Sequence, residues 1–197
     1  MEDISLKQNQ QLLIPLLWIG DKEEISINVK LIGNNSKLTI LGLLVGKNDD
    51  TLQLRINVTH KGKDTKSEVI LKGVLKDRTK VNFEGLVKIE NGAKQTNAWL
   101  GSNFLLLSDQ AKGRAVPSLE ILENDIKAGH AATVGKVNEI EMFYLMSRGL
   151  SETQSKELIV EGFLQSLMNR FPDKEKMAAL RLLGNASTRY TRSANIS

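Results

Sequence analysis

The chain has 197 residues, 41% of them hydrophobic and 25% charged, a balance that suits a soluble globular protein and excludes wholesale disorder. The formal net charge of +4 is mild, and it has an address: seven Lys/Arg and three Asp/Glu between Lys61 and Lys80 already carry a local +4. That run reads first as the solvated face of a sheet and second as a surface for an acidic partner. With no cysteine, disulfides and thiolate metal sites contributed by this chain are excluded.

Residues 1–24 read as a lead-in. The opening MEDISLKQNQ is acidic and polar, without the basic flank of a signal peptide. The apolar stretch Leu12–Ile19 is broken by Pro15 and is too short to span a bilayer, so an intracellular, cytoplasmic protein is expected. From Ile25 the pattern is that of strands. Ile25, Ile27, Val29 and Leu31 alternate with polar residues, which buries one face and exposes the other. Gly33-Asn34-Asn35 is turn chemistry, and a second apolar run, Leu38–Val45, follows it. Alternation resumes at Leu52, Leu54, Ile56 and Val58 after the turn 46–50. It continues through Val69, Leu71, Val74, Val81, Phe83 and Leu86–Ile89, with Asn103–Ser108 and Leu119–Leu122 as the last clear strand candidates. Turn signals recur until about residue 135. Such a pattern fits antiparallel sandwiches, barrels and a β-helix alike. The scarcity of aromatic residues suits stacked aliphatic rungs.

The period changes after Gly135. Asn138 precedes a helix over 139–148, with Glu141 placed for a capping box and Gly149 placed to stop it. Ser151-Glu152-Thr153-Gln154 repeats the capping pattern. Leu158, Ile159, Phe163 and Leu167 then fall on one helical face, ended at or before Pro172. A third helix is expected over Asp173–Leu183, with Met177, Leu180 and Leu183 inward and Gly184 as terminator, before a polar tail at 185–197. Three short helices bury little alone and should pack on the end of the β region, on each other or on a partner.

Two histidines are candidate site residues. His130 lies among small residues, in Gly129-His130-Ala131-Ala132-Thr133, where the strand pattern ends. Imidazole ligates iron or zinc and carries protons near neutral pH; the plainer reading is a hydrogen-bonded interface histidine. Glu120, Glu123 and Asp125 precede it as second-tier candidates for a metal site or an acid/base pair, or as surface and turn residues. His60 reads as a strand-edge or turn histidine with a structural or surface role. No phosphate-binding glycine loop, nucleophile elbow, zinc-protease helix or aromatic RNA-binding ladder is present, so neither catalysis nor nucleic-acid binding has a motif to rest on.

Several stretches resemble the SufB/SufD family of iron–sulfur cluster assembly proteins. They are Asn103–Ser108, Pro117-Ser118-Leu119-Glu120-Ile121, Asn124-Asp125-Ile126, His130–Gly135, Met142–Leu150 and Val160-Glu161-Gly162-Phe163. In order and spacing they are similar to that family's C-terminal half, over residues 95–171. Upstream, Lys72–Leu75 and Phe83-Glu84-Gly85 resemble the family core more loosely. The resemblance implies a mainly β fold, a right-handed parallel β-helix over 25–135, followed by a small α-helical partner-docking domain over 136–184. It implies a complex with a SufC-like ABC ATPase and with a SufB-like subunit or a second copy of the chain. Phe143, Tyr144, Arg148, Leu158, Ile159 and Phe163 would form the ATPase-docking face. His130 falls on the family's interface histidine near the nascent cluster, which makes it an interface residue or a candidate iron ligand.

The SufB branch carries a cysteine where this chain has Ala111, and acidic residues where it has Gly129 and Ala131. The pattern is therefore closer to the SufD branch, in a form shortened by the N-terminal helical region that longer members carry. One imidazole cannot hold a cluster alone. The expectation is a non-catalytic SufD-like subunit without a stably bound cofactor, meeting iron or a cluster only transiently at a subunit interface, with no membrane insertion and no nucleic acid. An ATPase-binding β-helical module with no iron–sulfur role is the alternative.

Overall fold

A computed structural model describes residues 2–177, 179 and 180. Ten strands come first: β1 (Glu2–Leu6), β2 (Gln11–Trp18), β3 (Glu24–Leu31), β4 (Lys37–Gly46), β5 (Thr51–His60), β6 (Lys66–Leu75), β7 (Lys80–Ile89), β8 (Thr96–Leu106), β9 (Lys112–Ile121) and β10 (Ile126–Lys136). Helices α1 (Glu139–Ser147) and α2 (Glu152–Met168) follow. Odd strands form one five-stranded sheet and even strands another, and every pairing is parallel. Two strands make one coil, and about five coils stack into the β-helix the resemblance implies.

The stacking register explains the pattern. Ile25 lies beside Leu54, and Leu54 beside Phe83. On the facing sheet Ile40, Val69 and Leu100 form the matching row. Residues paired in a parallel ladder point to the same side, so each inward row becomes a column of aliphatic side chains. Leu31, Leu38, Ile40, Leu54, Ile56, Val69, Leu71 and Phe83 are buried in the single core between the sheets.

The corners are backbone ladders. After the odd strands, Asn9, Asn35, Asp64 and Gln95 occupy the left-handed region with φ of 58–60°. Each donates its N–H to the next coil: Asn9 to Asn34 O, Asn35 to Lys63 O, Asp64 to Lys94 O and Gln95 to Asp125 O, at 2.6–2.9 Å. Beneath them Ser36, Thr65 and Thr96 donate their hydroxyls to the carbonyls of Gly33, Gly62 and Ala93. The coils touch so closely here that a Cβ on Gly62 would lie 2.5 Å from Gly33 O. At the opposite corner Asn48 and Asp77 play the left-handed part.

The structure revises several expectations. Residues 1–24 supply β1 and β2, which pair with β3 and β4. They escaped the alternation test because β2 is apolar on both faces: Trp18 is fully buried in the lumen, while Leu17 packs on the outside against a second core. Pro15 is tolerated because β2 is an edge strand, where a missing N–H costs no ladder bond. His60 is not at the surface. It is fully buried in the column between Leu31 and Ile89, its ring nitrogens 2.8 Å from Thr65 Oγ1 and from Ser67 Oγ. Burial depresses its pKa from 6.5 to about 4.

Helix α2 lies on the outer face of the even-strand sheet rather than on an end of the coil, and α1 packs on α2. Leu164, Leu167 and Met168 of α2, with Phe171 and Ala179, bury a second core against Leu41, Leu43 and Val74. Lys72 reaches from β6 to Phe163 O (2.8 Å) and Ser166 Oγ (2.5 Å), its ammonium 4.4 Å above the Phe163 ring, and burial lowers its pKa. Arg170 pairs with Glu68. The buried stripe of α2 is thus displaced from the expected one: Leu167 is in it, Leu158 is 49% exposed, and Leu164 and Met168 take its place. A further helical stretch occupies 173–177, where Met177 and also Leu180 are exposed and Ala179 is inward. Leu183, Gly184 and the tail at 185–197 lie outside the described residues.

Candidate functional site

Besides the free edges of β1 and β2 at the other end of the coil, two surfaces are left incomplete by this architecture. The first is the mouth of the coil at its C-terminal end, where β9 and β10 are the last strands of their sheets and each has one unpaired edge. His130 belongs to β10 and pairs in register with Leu100, which is buried in the lumen. The imidazole therefore takes an inward position, in the column of Val69 and Leu100, yet it is exposed because no further coil covers it. Ile126 and Ala128 on β10 and Ala115 and Leu119 on β9 hold neighbouring inward positions and pack on the core from one side only. The sequence reading placed His130 where strands end; it lies inside the last strand, which small residues disguised.

The acidic residues near His130 are otherwise engaged. Glu120 faces outward and pairs with Lys88 (2.7 Å). Glu123 accepts from the N–H groups of Gly92 (3.0 Å), Asn124 (2.9 Å) and Asp125 (3.3 Å), and these bonds hold its carboxyl below the usual range. Asp125 accepts from the Gln95 side-chain amide at 2.7 and 2.8 Å. Glu123 rather than Asp125 closes the turn. Among the described residues no group of three or more His, Asp or Glu side chains is placed to hold a metal ion. Ala111, which the resemblance sets against a SufB-branch cysteine, is buried in the main core. The mouth thus offers a single imidazole donor from this chain and no thiolate.

The second surface is the outer side of α1 and α2. Asn138 caps α1 by accepting from Ile140 N and Glu141 N, and Gly149 ends it at φ 95°. At α2 the full capping box forms between Ser151 and Gln154. No residue of α1 is buried. Ile140 (78%), Phe143 (74%), Tyr144 (56%) and Leu158 (49%) stand open to solvent, far more apolar surface than a solvated helix pair needs. Arg148 lies 5.3 Å from the Tyr144 ring centroid. A groove of about 440 Å³ runs between the helices, lined by Ile140, Glu141, Tyr144, Leu145, Leu158 and Ile159. Phe163, expected in this face, turns instead toward the second core and Lys72. Ile140 belongs to the exposed patch, although the sequence reading gave it no docking role. Among the described residues no helix is long and apolar enough to cross a membrane.

Comparison with known proteins identifies the family. The family model for the SufBD core domain of the SUF system of iron–sulfur cluster assembly matches residues 18–163. The iron–sulfur cluster assembly protein SufD of Bacillus subtilis is 37% identical over 155 residues, covering 78% of this chain and 36% of that protein. A SufBD family assembly protein of Pyrococcus horikoshii is 33% identical over 141 residues, covering 72% and 31%. One from Mycobacterium tuberculosis is 28% identical over 171 residues, covering 84% and 20%. The chain spans little more than a third of the length of these relatives at most.

Proposed function

Because the chain belongs to the SufBD family of iron–sulfur cluster assembly proteins, we propose that it acts as a non-catalytic, SufD-like subunit of a cytoplasmic assembly complex. In this reading α1 and α2 dock a SufC-like ABC ATPase, and the β9–β10 mouth joins a SufB-like subunit or a second copy of the chain. The observation that carries the reading is the open apolar face of Ile140, Phe143, Tyr144 and Leu158 on a helix pair whose α2 is anchored to the coil. A partner surface laid in the groove and over the neighbouring Phe143 would bury that face, and burial of large apolar side chains is what stabilises such contacts. The stiff coil joins this face to the mouth, so nucleotide-driven motion of the ATPase would be felt at the subunit joint.

At the joint, pairing of unsatisfied strand edges between two mouths would supply main-chain hydrogen bonds and cover the inward Ala128, Ala115 and Leu119. His130 would then lie at the seam. Iron or a nascent cluster is cargo in this scheme, and it would take one imidazole from this chain and its other ligands from the partner.

Co-purification with the ATPase tests the docking face. Phe143→Asp combined with Leu158→Asp should abolish ATPase retention while leaving the thermal transition of the coil unchanged; retention equal to wild type refutes the reading. Anaerobic iron and sulfide analysis of the complex with His130→Ala tests the joint. Unchanged iron loading together with unchanged assembly removes any site role for His130. ATPase binding without iron or sulfide in the wild-type complex favours the module with no iron–sulfur role, the reading to which the missing thiolates point.

A further inference from the structure

The two corners of the coil are built alike but charged differently. The corner after the odd strands comprises residues 7–12, 32–38, 61–67, 90–97 and 122–127, and it carries seven lysines (Lys7, Lys37, Lys61, Lys63, Lys66, Lys94, Lys127) against four carboxylates, a net of +3. The corner after the even strands, residues 19–25, 47–52, 76–81 and 107–113, carries six cations against seven carboxylates, a net of −1. A lysine-rich turn is therefore not what the fold itself demands. At the basic corner the carboxylates are also largely committed: Glu90 to Lys61 (3.1 Å), Glu123 to backbone N–H groups and Asp125 to Gln95. Lys37, Lys63, Lys66 and Lys127 are exposed and enter none of the ion pairs among the described residues.

Lys37 and Lys66 sit in register on adjacent strands, ~4.8 Å apart at the backbone, and Lys127 follows in the same row beyond Asn97. Like charges directly opposite one another are unfavourable. Lys80 and Lys112 stack the same way at the other corner, but Asp49 lies within Coulombic reach of Lys80. Two positions along β8 from Asn97, on the same outer face, Trp99 stands 44% exposed. Its ring lies flat over the sheet, 2.9 Å from where a Cβ would stand on Gly101 and on Gly129, so the glycines make its bed.

We propose that this corner and Trp99 form a docking ridge for an acidic, extended segment of a partner protein, with an apolar side chain of that segment set against the indole. The lysine corner contains no arginine, and Glu68, in register beside Trp99, is already paired with Arg170. Lysines attract carboxylate and phosphate alike as point charges, but the ridge offers one indole rather than the run of aromatic rings on which successive bases stack, which favours an acidic peptide over a nucleic acid. Tryptophan is a frequent anchor at such sites. The ridge is distinct from the helical face and reaches the mouth only at its end, through Lys127 on β10, so its Lys37 and Lys66 lie outside the surfaces used in the function inferred above.

The test is fluorescence anisotropy of the full chain with a labelled glutamate-rich peptide carrying one central phenylalanine, at low ionic strength. A labelled oligothymidylate serves as comparator. Lys37→Glu/Lys66→Glu/Lys127→Glu should weaken peptide binding about tenfold or more, since each exposed pair contributes modestly and three are reversed. Lys47→Glu/Lys80→Glu/Lys112→Glu changes net charge by the same amount at the other corner and should stay within about twofold. Trp99→Ala should weaken binding of the phenylalanine peptide more than that of its alanine counterpart. If the glutamate variants melt early, the corresponding Lys→Gln triples read the same contrast. Equal losses from the two corners, no peptide binding by wild type, or tighter oligothymidylate binding with the same ridge dependence would each overturn the proposal.

Discussion

Acidification should weaken the coil through His60 before any surface carboxylate matters. The imidazole lies between Leu31 and Ile89 with only the hydroxyls of Thr65 and Ser67 beside its nitrogens. No carboxylate stabilises a proton there, and burial holds the folded pKa at about 4 against an ordinary 6.5. The unfolded chain therefore binds a proton between these values that the folded chain refuses, and stability rises with pH across that window. The contribution is fully present above pH 6.5 and is lost as pH falls toward 4. A displacement of this size corresponds to about 3 kcal/mol, of which about 2.5 kcal/mol is gone by pH 4.5. Urea unfolding of wild type and His60→Gln at pH 7 and pH 4.5 isolates it, because the glutamine can meet the hydroxyls but does not titrate. Wild type should lose about 2.5 kcal/mol more than the variant on acidification. Equal losses, or a folded-state imidazole titrating near 6.5 by NMR, would refute the reasoning.

Three further outcomes follow from the packing and the ion pairs. Gly62→Ala places a methyl group against backbone that has no rotamer to yield, so it should cost about 1–3 kcal/mol by urea denaturation. Leu167→Ala should cost about 2–4 kcal/mol of α2 docking, visible as faster amide exchange confined to α1 and α2, whereas Arg170→Ala, which removes a half-exposed ion pair, should cost less than about 1 kcal/mol.

The inward columns were legible because strict alternation has one physical meaning, a half-buried strand. Alternation does not say which strand lies beside which, and so sandwich, barrel and coil stayed level until the family resemblance entered. A signal that separates them was present: Gly33 and Gly62, Asn35 and Asp64, and Asn48 and Asp77 are each 29 residues apart, the stacking period of these coils. The helix caps at Asn138 and Ser151 were readable because capping is local chemistry. The buried stripe of α2 was less so, since spacing alone could not tell a face turned to the sheet from a face turned to solvent. For His60 the spacing leaves a structural and a surface role open, because a polar residue beside a turn usually meets water; here the hydroxyls of Thr65 and Ser67 in the corner of its own coil meet it instead.

The constant register has a consequence for distance. Between β3 and β7, and between β4 and β6, equivalent residues recur every 29 positions, so one repeat advances the structure by one strand spacing, ~4.8 Å, with every inward column kept in phase. Such a rod is graduated. Duplicating or excising a whole 29-residue unit would lengthen or shorten it by one division, while any other insertion would be expelled as a loop at a corner.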